Sequence, residues 1–150
     1  MNKALTQFEG KWLRRLNMGA QTVLHHGMTP SGAGLHSAVA DAFVEGLGYS
    51  PIGFNWELLD PNAPSDQSRS ARAEVTRALA NDISNPSQEW LGEATAIQCA
   101  DDLLSAFDPT TLTVVSNRYD GLWNPISGAS VEWAFVCFDD SQIALLLITE

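Results

Sequence analysis

The spacing of apolar side chains predicts the elements in order. From Thr6 to about His26, the residues Phe8, Trp12, Leu13, Leu16, Ala20, Val23 and Leu24 recur at three- and four-residue steps. That pattern predicts one helix with a single buried stripe. Lys11, Arg14 and Arg15 fall mostly off the stripe, while Gly10 and Gly19 weaken it. Gly27 then stands where a helix C′ residue would. His25 and His26 fall in the last turn, where a helix dipole favours positive charge. After "MTPSGAG", Leu35, Val39, Phe43 and Leu47 lie four apart and predict a second, short helix that "GYSP" ends.

"IGFNWELL" alternates, with Phe54, Trp56 and Leu58 on one face and Asn55 and Glu57 on the other, which predicts a strand. "DPNAPSDQS" reads as a loop. Ser65 or Asp66 is the expected cap of a third helix reaching about Ile83, with Ala71, Val75, Ala78, Leu79 and Ile83 inward. "SNPS" stops it. Ser87 is the expected cap of a fourth, from Gln88 to Phe107, with Trp90, Leu91, Ala94, Ile97, Leu104 and Phe107 among its apolar positions. Pro109 ends it, because a proline disfavours helical dihedrals in the preceding residue.

From Leu112 onward the period is two. "LTVVSNRY", "SVEWAFVCF" and "QIALLLIT" read as three strands, joined by the long turn "DGLWNPISGA" and the tight turn "DDS". Turns of these lengths predict an antiparallel meander. In the middle strand Val131, Trp133, Phe135 and Cys137 share a face. The last strand is apolar on both faces, so it needs cover on both, from "IGFNWELL" pairing beside it or from helices and a partner. The expectation is one α+β domain over residues 1–150. Three or four helices would pack on one side of a three- to four-stranded, mainly antiparallel sheet with a C-terminal β-meander.

Composition agrees with a folded domain. The 150 residues are 45% apolar and 17% charged, with five tryptophans and six phenylalanines to fill a core. "IALLLI" is the longest apolar run, far short of a membrane span. The start, "MNKALTQFEGKW", has no apolar signal region, so the expectation is a cytoplasmic protein. Cys99 and Cys137 sit within apolar segments far apart in sequence and predict two buried free thiols.

Charge is lopsided. Residues 1–77 carry seven basic and seven acidic side chains, whereas residues 78–150 carry eleven acids and one base, Arg118, which accounts for the whole net charge of −10. Such a field disfavours direct nucleic-acid binding, which needs cations against phosphate. It suits a basic protein partner, or serves solubility alone.

Specific chemistry is sparse. All three histidines lie in "HHGMTPSGAGLHS". "GMTPSGAG" has the glycine spacing of a phosphate-binding P-loop, yet Ala33 stands where the lysine belongs and Gly34 where Ser or Thr belongs. His25 and His26 are adjacent and would diverge on a helix, so a metal site would need one of them with the distant His36. There is no Gly-x-Ser-x-Gly elbow and no calcium-loop spacing. No catalytic residue, metal or cofactor is assigned. The meander instead brings Asp108 toward Asp139 and Asp140, with Asp101 and Asp102 on the helix before them. At the opposite end "RYDGLWNPISG" offers Tyr119, Asp120 and Trp123. The eight residues Asp101, Asp102, Asp108, Tyr119, Asp120, Trp123, Asp139 and Asp140 are the candidate partner-binding set.

The expectation for function is a small acidic, non-enzymatic protein that neutralises a basic partner, as an immunity protein or antitoxin does with a toxin nuclease. It would contact neither membrane nor nucleic acid directly. Two alternatives stand beside it. One is a small-ligand-binding protein or enzyme using the His25–His36 loop. The other is a nucleic-acid mimic that blocks a DNA- or RNA-binding protein.

Overall fold

In the computed structural model, which describes residues 3–18, 20–32 and 34–150, the chain is built around its strands. These are β1 (Gln21–Met28), β2 (Glu57–Leu59), β3 (Thr113–Ser116), β4 (Arg118–Tyr119), β5 (Leu122–Trp123), β6 (Glu132–Phe138) and β7 (Gln142–Thr149). Five of them form one antiparallel sheet in the order β1-β7-β6-β3-β2, and β4 and β5 form a separate hairpin. At the N-terminus α1 (Lys3–Phe8) passes through a π-helical stretch, Glu9–Leu13, into α2 (Arg14–Leu16). The remaining helices are α3 (His36–Gly46), α4 (Ala71–Ala80) and α5 (Glu93–Leu104). The fold is α+β. Among the described residues no helix is long and apolar enough to cross a membrane. Gly19 and Ala33, both named in the sequence reading, lie outside the described residues.

β6 and β7 are the centre of the molecule, and their alternation feeds two cores. Trp133, Phe135, Cys137, Ala144, Leu146 and Ile148 pack with Leu5, Phe8, Trp12 and Leu16 and with α4 and α5. Ala134, Val136, Phe138, Ile143, Leu145 and Leu147 face the other way, onto Val39, Ala40 and Val44 of α3, with Trp56 and Ile126. Helices therefore cover both faces of the sheet rather than one, which is why the last strand can be apolar throughout.

The first predicted helix is corrected. It ends at Leu16, and residues 21–28 form β1 instead of its last turns. Asn17 makes the break. Its side-chain amide donates to the carbonyl oxygens of Leu13 and Thr22, and the Thr22 N–H donates to its Oδ1. β1 then pairs along its whole length with β7, from Gln21 opposite Thr149 to Met28 opposite Gln142. Gly27 is thus no helix cap, and His25 and His26 do not sit in a helix dipole. β7 is covered by β1, while "IGFNWELL" lies at the far edge of the sheet against β3. In that segment Gly53–Asn55 is a short 3₁₀ turn and only Glu57–Leu59 is strand. Phe54, 88% exposed, does not share a buried face with Trp56.

Two helices begin later than predicted. Ser70, not Ser65 or Asp66, caps α4, accepting the Ala73 N–H, and the helix stops at Ala80. Gly92, not Ser87, precedes α5, which ends at Leu104. Trp90 and Leu91 are not helical; their N–H groups donate to the carbonyls of Ala80 and Leu79, closing the turn between the two helices. The pairing of the meander is as expected, but "LTVVSNRY" is not one strand: it leaves the sheet after Ser116, and Arg118–Tyr119 pairs with Leu122–Trp123 of the predicted long turn. β3 pairs with β6 and β6 with β7, with Asp139 and Asp140 in the tight turn.

Candidate functional site

The hairpin β4–β5 follows directly from β3. Its turn residues Asp120 and Gly121 have φ of 54° and 82°. Both lie in the left-handed region, which Asp-Gly occupies cheaply and which two-residue hairpin turns require. Tyr119 and Leu122 face each other across the pair, as do Arg118 and Trp123. The tip leaves Leu122 79% exposed.

Glu132 fixes the base of this end. It is fully buried, and its Oε2 accepts from Asn117 Nδ2 at 2.9 Å and from the Ile126 N–H at 2.8 Å. Its Oε1 accepts from the Ser127 N–H and hydroxyl at 3.0 and 2.7 Å. Asn117 in turn accepts the Ala134 N–H and donates to the Asn124 carbonyl. The segment 117–127 is therefore bolted to β6 from inside.

Beside the hairpin a cleft of about 410 Å³ is lined by Glu74 and Arg77 of α4, Asp82, Arg118, Asp120 and Trp133, among others. Glu74 is buried, and its Oε2 accepts from Arg77 at 2.6 Å. Burial first, and Asp120 second, push the Glu74 carboxyl above its usual range, against the pull of Arg77 and Arg118. The Arg118 guanidinium lies 4.6 Å from the Trp133 ring centre and donates from Nη2 to the Ile83 carbonyl, while its buried Nη1 has no hydrogen-bond partner. Burial lowers its pKa. Asp82 is held down to about 2, chiefly by the Ser84 hydroxyl and N–H. Two further clefts share Arg77 with this one. One also borders Asp66, Tyr119 and Asp120, the other Glu89 and Glu93. Asp66, Glu89, Glu93 and Asp120 are exposed and form no salt bridge among the described residues.

The predicted site residues are distributed as follows. Tyr119 and Asp120 border these clefts, with the Arg69 guanidinium 4.5 Å over the Tyr119 ring and bonded to Glu57 at 2.8 Å. Trp123 is half-buried in the same hairpin. Asp108, Asp139 and Asp140 are at the other end of the sheet. There Asp139 is buried in turn-holding work, accepting from the N–H groups of Asp108, Ser141 and Gln142. Asp101 is bidentate with Arg72, and Asp102 accepts from Lys11 Nζ and Trp12 Nε1, each at 2.8 Å. Of that group, Asp101, Asp108 and Asp140 are exposed, Asp101 while paired with Arg72.

The histidines do not converge. His25 contacts the Tyr49 hydroxyl on one face of β1, His26 contacts Glu9 on the other at 2.7 Å, and His36 opens α3. Among the described residues no three His, Cys, Asp or Glu side chains are grouped to hold a metal ion.

Glu74, Arg77, Asp82, Arg118 and Trp133 were not singled out from the sequence. One signal was legible: Glu74 falls between Ala71, Val75 and Ala78 on the inward stripe of α4, an unusual place for a carboxylate. Chemically, these clefts offer carboxylates, an aromatic floor already carrying one guanidinium, and an exposed leucine beside them. They are suited to receive cationic side chains. Comparison with family models, with curated proteins and with solved structures finds no match.

Proposed function

We propose that the protein is a non-enzymatic binder of a basic protein partner, which it holds inactive in the manner of an immunity protein or antitoxin, and that the hairpin end of the sheet is its contact surface. One observation carries this reading. Four of the eight basic side chains are consumed internally, Lys11 by Asp102, Arg69 by Glu57, Arg72 by Asp101 and Arg77 by Glu74. Among the described residues the carboxylates Asp66, Glu89, Glu93 and Asp120 are left without an ion pair around three clefts that share Arg77, two of them bordered by hairpin residues 119–121. Charge of this kind steers encounter, and an exposed apolar tip such as Leu122, flanked by Tyr119 and Trp123, slows departure.

The test is reconstitution with the basic protein purified in complex from the source cells, or with the product of an adjoining gene where that product is basic. The complex should form from purified components, and the partner's activity should be suppressed in proportion to complex formed. A partner that remains fully active when saturated would sink the inhibitory reading.

A further inference from the structure

We propose that two copies of this chain join edge to edge through β1, making a continuous ten-stranded antiparallel sheet across a two-fold axis at His26. The hydrogen-bond phase of β1 is set by its ends. The Thr29 N–H donates to the Ser141 carbonyl, and Thr29 and Ser141 continue the register of β1 on β7. In an antiparallel ladder alternate residues bond to the same neighbour. Odd-numbered residues of β1 therefore bond to β7, and the main-chain groups of Thr22, Leu24, His26 and Met28 point outward. Thr22 confirms the phase: both its N–H and its carbonyl are met by the Asn17 side chain, which stands where a neighbouring strand would. Among the described residues no strand neighbours Leu24, His26 and Met28 on that side.

The composition of this edge selects a second copy as the occupant. Residues 16–40 contain no Asp, Glu, Lys or Arg, although the whole chain carries a net charge of −10. Open edges are ordinarily blunted by charge or proline; this one carries neither between Asn17, which closes it at Thr22, and Pro30, which follows Thr29. A basic partner gains nothing from a neutral strand. Two like-charged copies, in contrast, meet here with least repulsion, and the nearby Glu9 is already bonded to His26. The outward positions are also symmetric. Leu24, His26 and Met28 can face Met28, His26 and Leu24 of a second copy and close both sets of main-chain bonds, as an isologous contact requires. Met28, 85% exposed, would then lie cross-strand from the second copy's Leu24 on the same face. The proposal is independent of the hairpin surface, which extends from the other side of the sheet.

The experiment is sedimentation of the purified full chain over a wide concentration range, with amide hydrogen exchange at each end of that range. The expected mass rises with concentration to twice the 16.3 kDa monomer. Exchange at Leu24, His26 and Met28 should slow about tenfold or more on dimerisation, as it does when an amide gains a strand partner. Met28→Pro removes only an outward N–H and an exposed side chain, so it should fold with unchanged circular dichroism and remain monomeric. Met28→Lys should weaken the dimer by its charge. A chain that is monomeric throughout, or a dimer in which those three amides exchange as fast as in the monomer, overturns the proposal.

Discussion

Glu132 receives the main-chain N–H of Ile126 at 2.8 Å in a position with no exposure to solvent, so a charged side chain is an internal tie of the segment that carries the hairpin. Replacing it leaves four donors facing inward without an acceptor. Glu132→Ala should cost roughly 3–5 kcal/mol of stability, the range for breaking a buried charged network. Glu132→Gln should also destabilise, because its amide nitrogen confronts donors. Denaturant unfolding checks this, and a loss under about 1 kcal/mol for the alanine variant contradicts the network.

Much of this architecture was legible. Val131, Trp133, Phe135 and Cys137 share a face as their alternation required, and β7, apolar on both sides, is covered on both, though its strand neighbour is β1 rather than "IGFNWELL". β1 was not legible, for a physical reason. Ala20, Val23 and Leu24 continue the helical spacing of Phe8 to Leu16 by coincidence. The inward partner that would have shown a period of two is Thr22, a polar residue buried beside the Asn17 amide. Pairing with β7, more than a hundred residues away, overrides local spacing. At the candidate site Asp120 and Tyr119 were legible from their turn. Glu74 and Arg118 were not, because only the packing of α4 against β6 brings them to one cleft. The Asp-Gly pair itself was a sharper signal than the long turn it was read in.

Glu74 should titrate above an ordinary glutamate, because burial and then Asp120 disfavour its charge. Side-chain carbonyl NMR should show its midpoint above about 4.3. The sign for stability follows: the neutral acid's contribution is full below that ordinary value and is lost as pH rises through the raised one. A midpoint at or below about 4.3 would mean that Arg77 and Arg118 dominate instead.

Asp82 and Asp139 act with the opposite sign. The Ser84 hydroxyl and N–H lead in holding Asp82 down to about 2. For Asp139, burial alone would raise the carboxyl, but the N–H groups of Asp108, Ser141 and Gln142 outweigh it and keep it low. Their contributions are present above about pH 4 and are lost as pH falls through the folded values. Thermal melts should thus fall between about pH 4 and pH 2, and Asp139→Asn should flatten that slope. An unchanged slope in that variant refutes the assignment.

Cys99 and Cys137 are buried free thiols, each pushed up to about 12 chiefly by burial. Thiolate is the reactive form, so native labelling should be slow and should accelerate on denaturation. Fast modification of either residue in the folded protein would show an opening that the packing does not contain.

We propose that unpaired carboxylates at the hairpin end recruit a basic protein. The most direct measurement is the association rate with the reconstituted partner at about 0.05 and 0.5 M salt, a range over which exposed charges become screened. It should be made for the native chain, for Asp66→Asn combined with Asp120→Asn, and for Asp108→Asn combined with Asp140→Asn. Association should be at least tenfold slower at high salt. The hairpin-end pair should slow it several-fold at low salt, while the opposite pair changes it far less. Association that is indifferent to salt, or that depends on Asp108 and Asp140 alone, would contradict it.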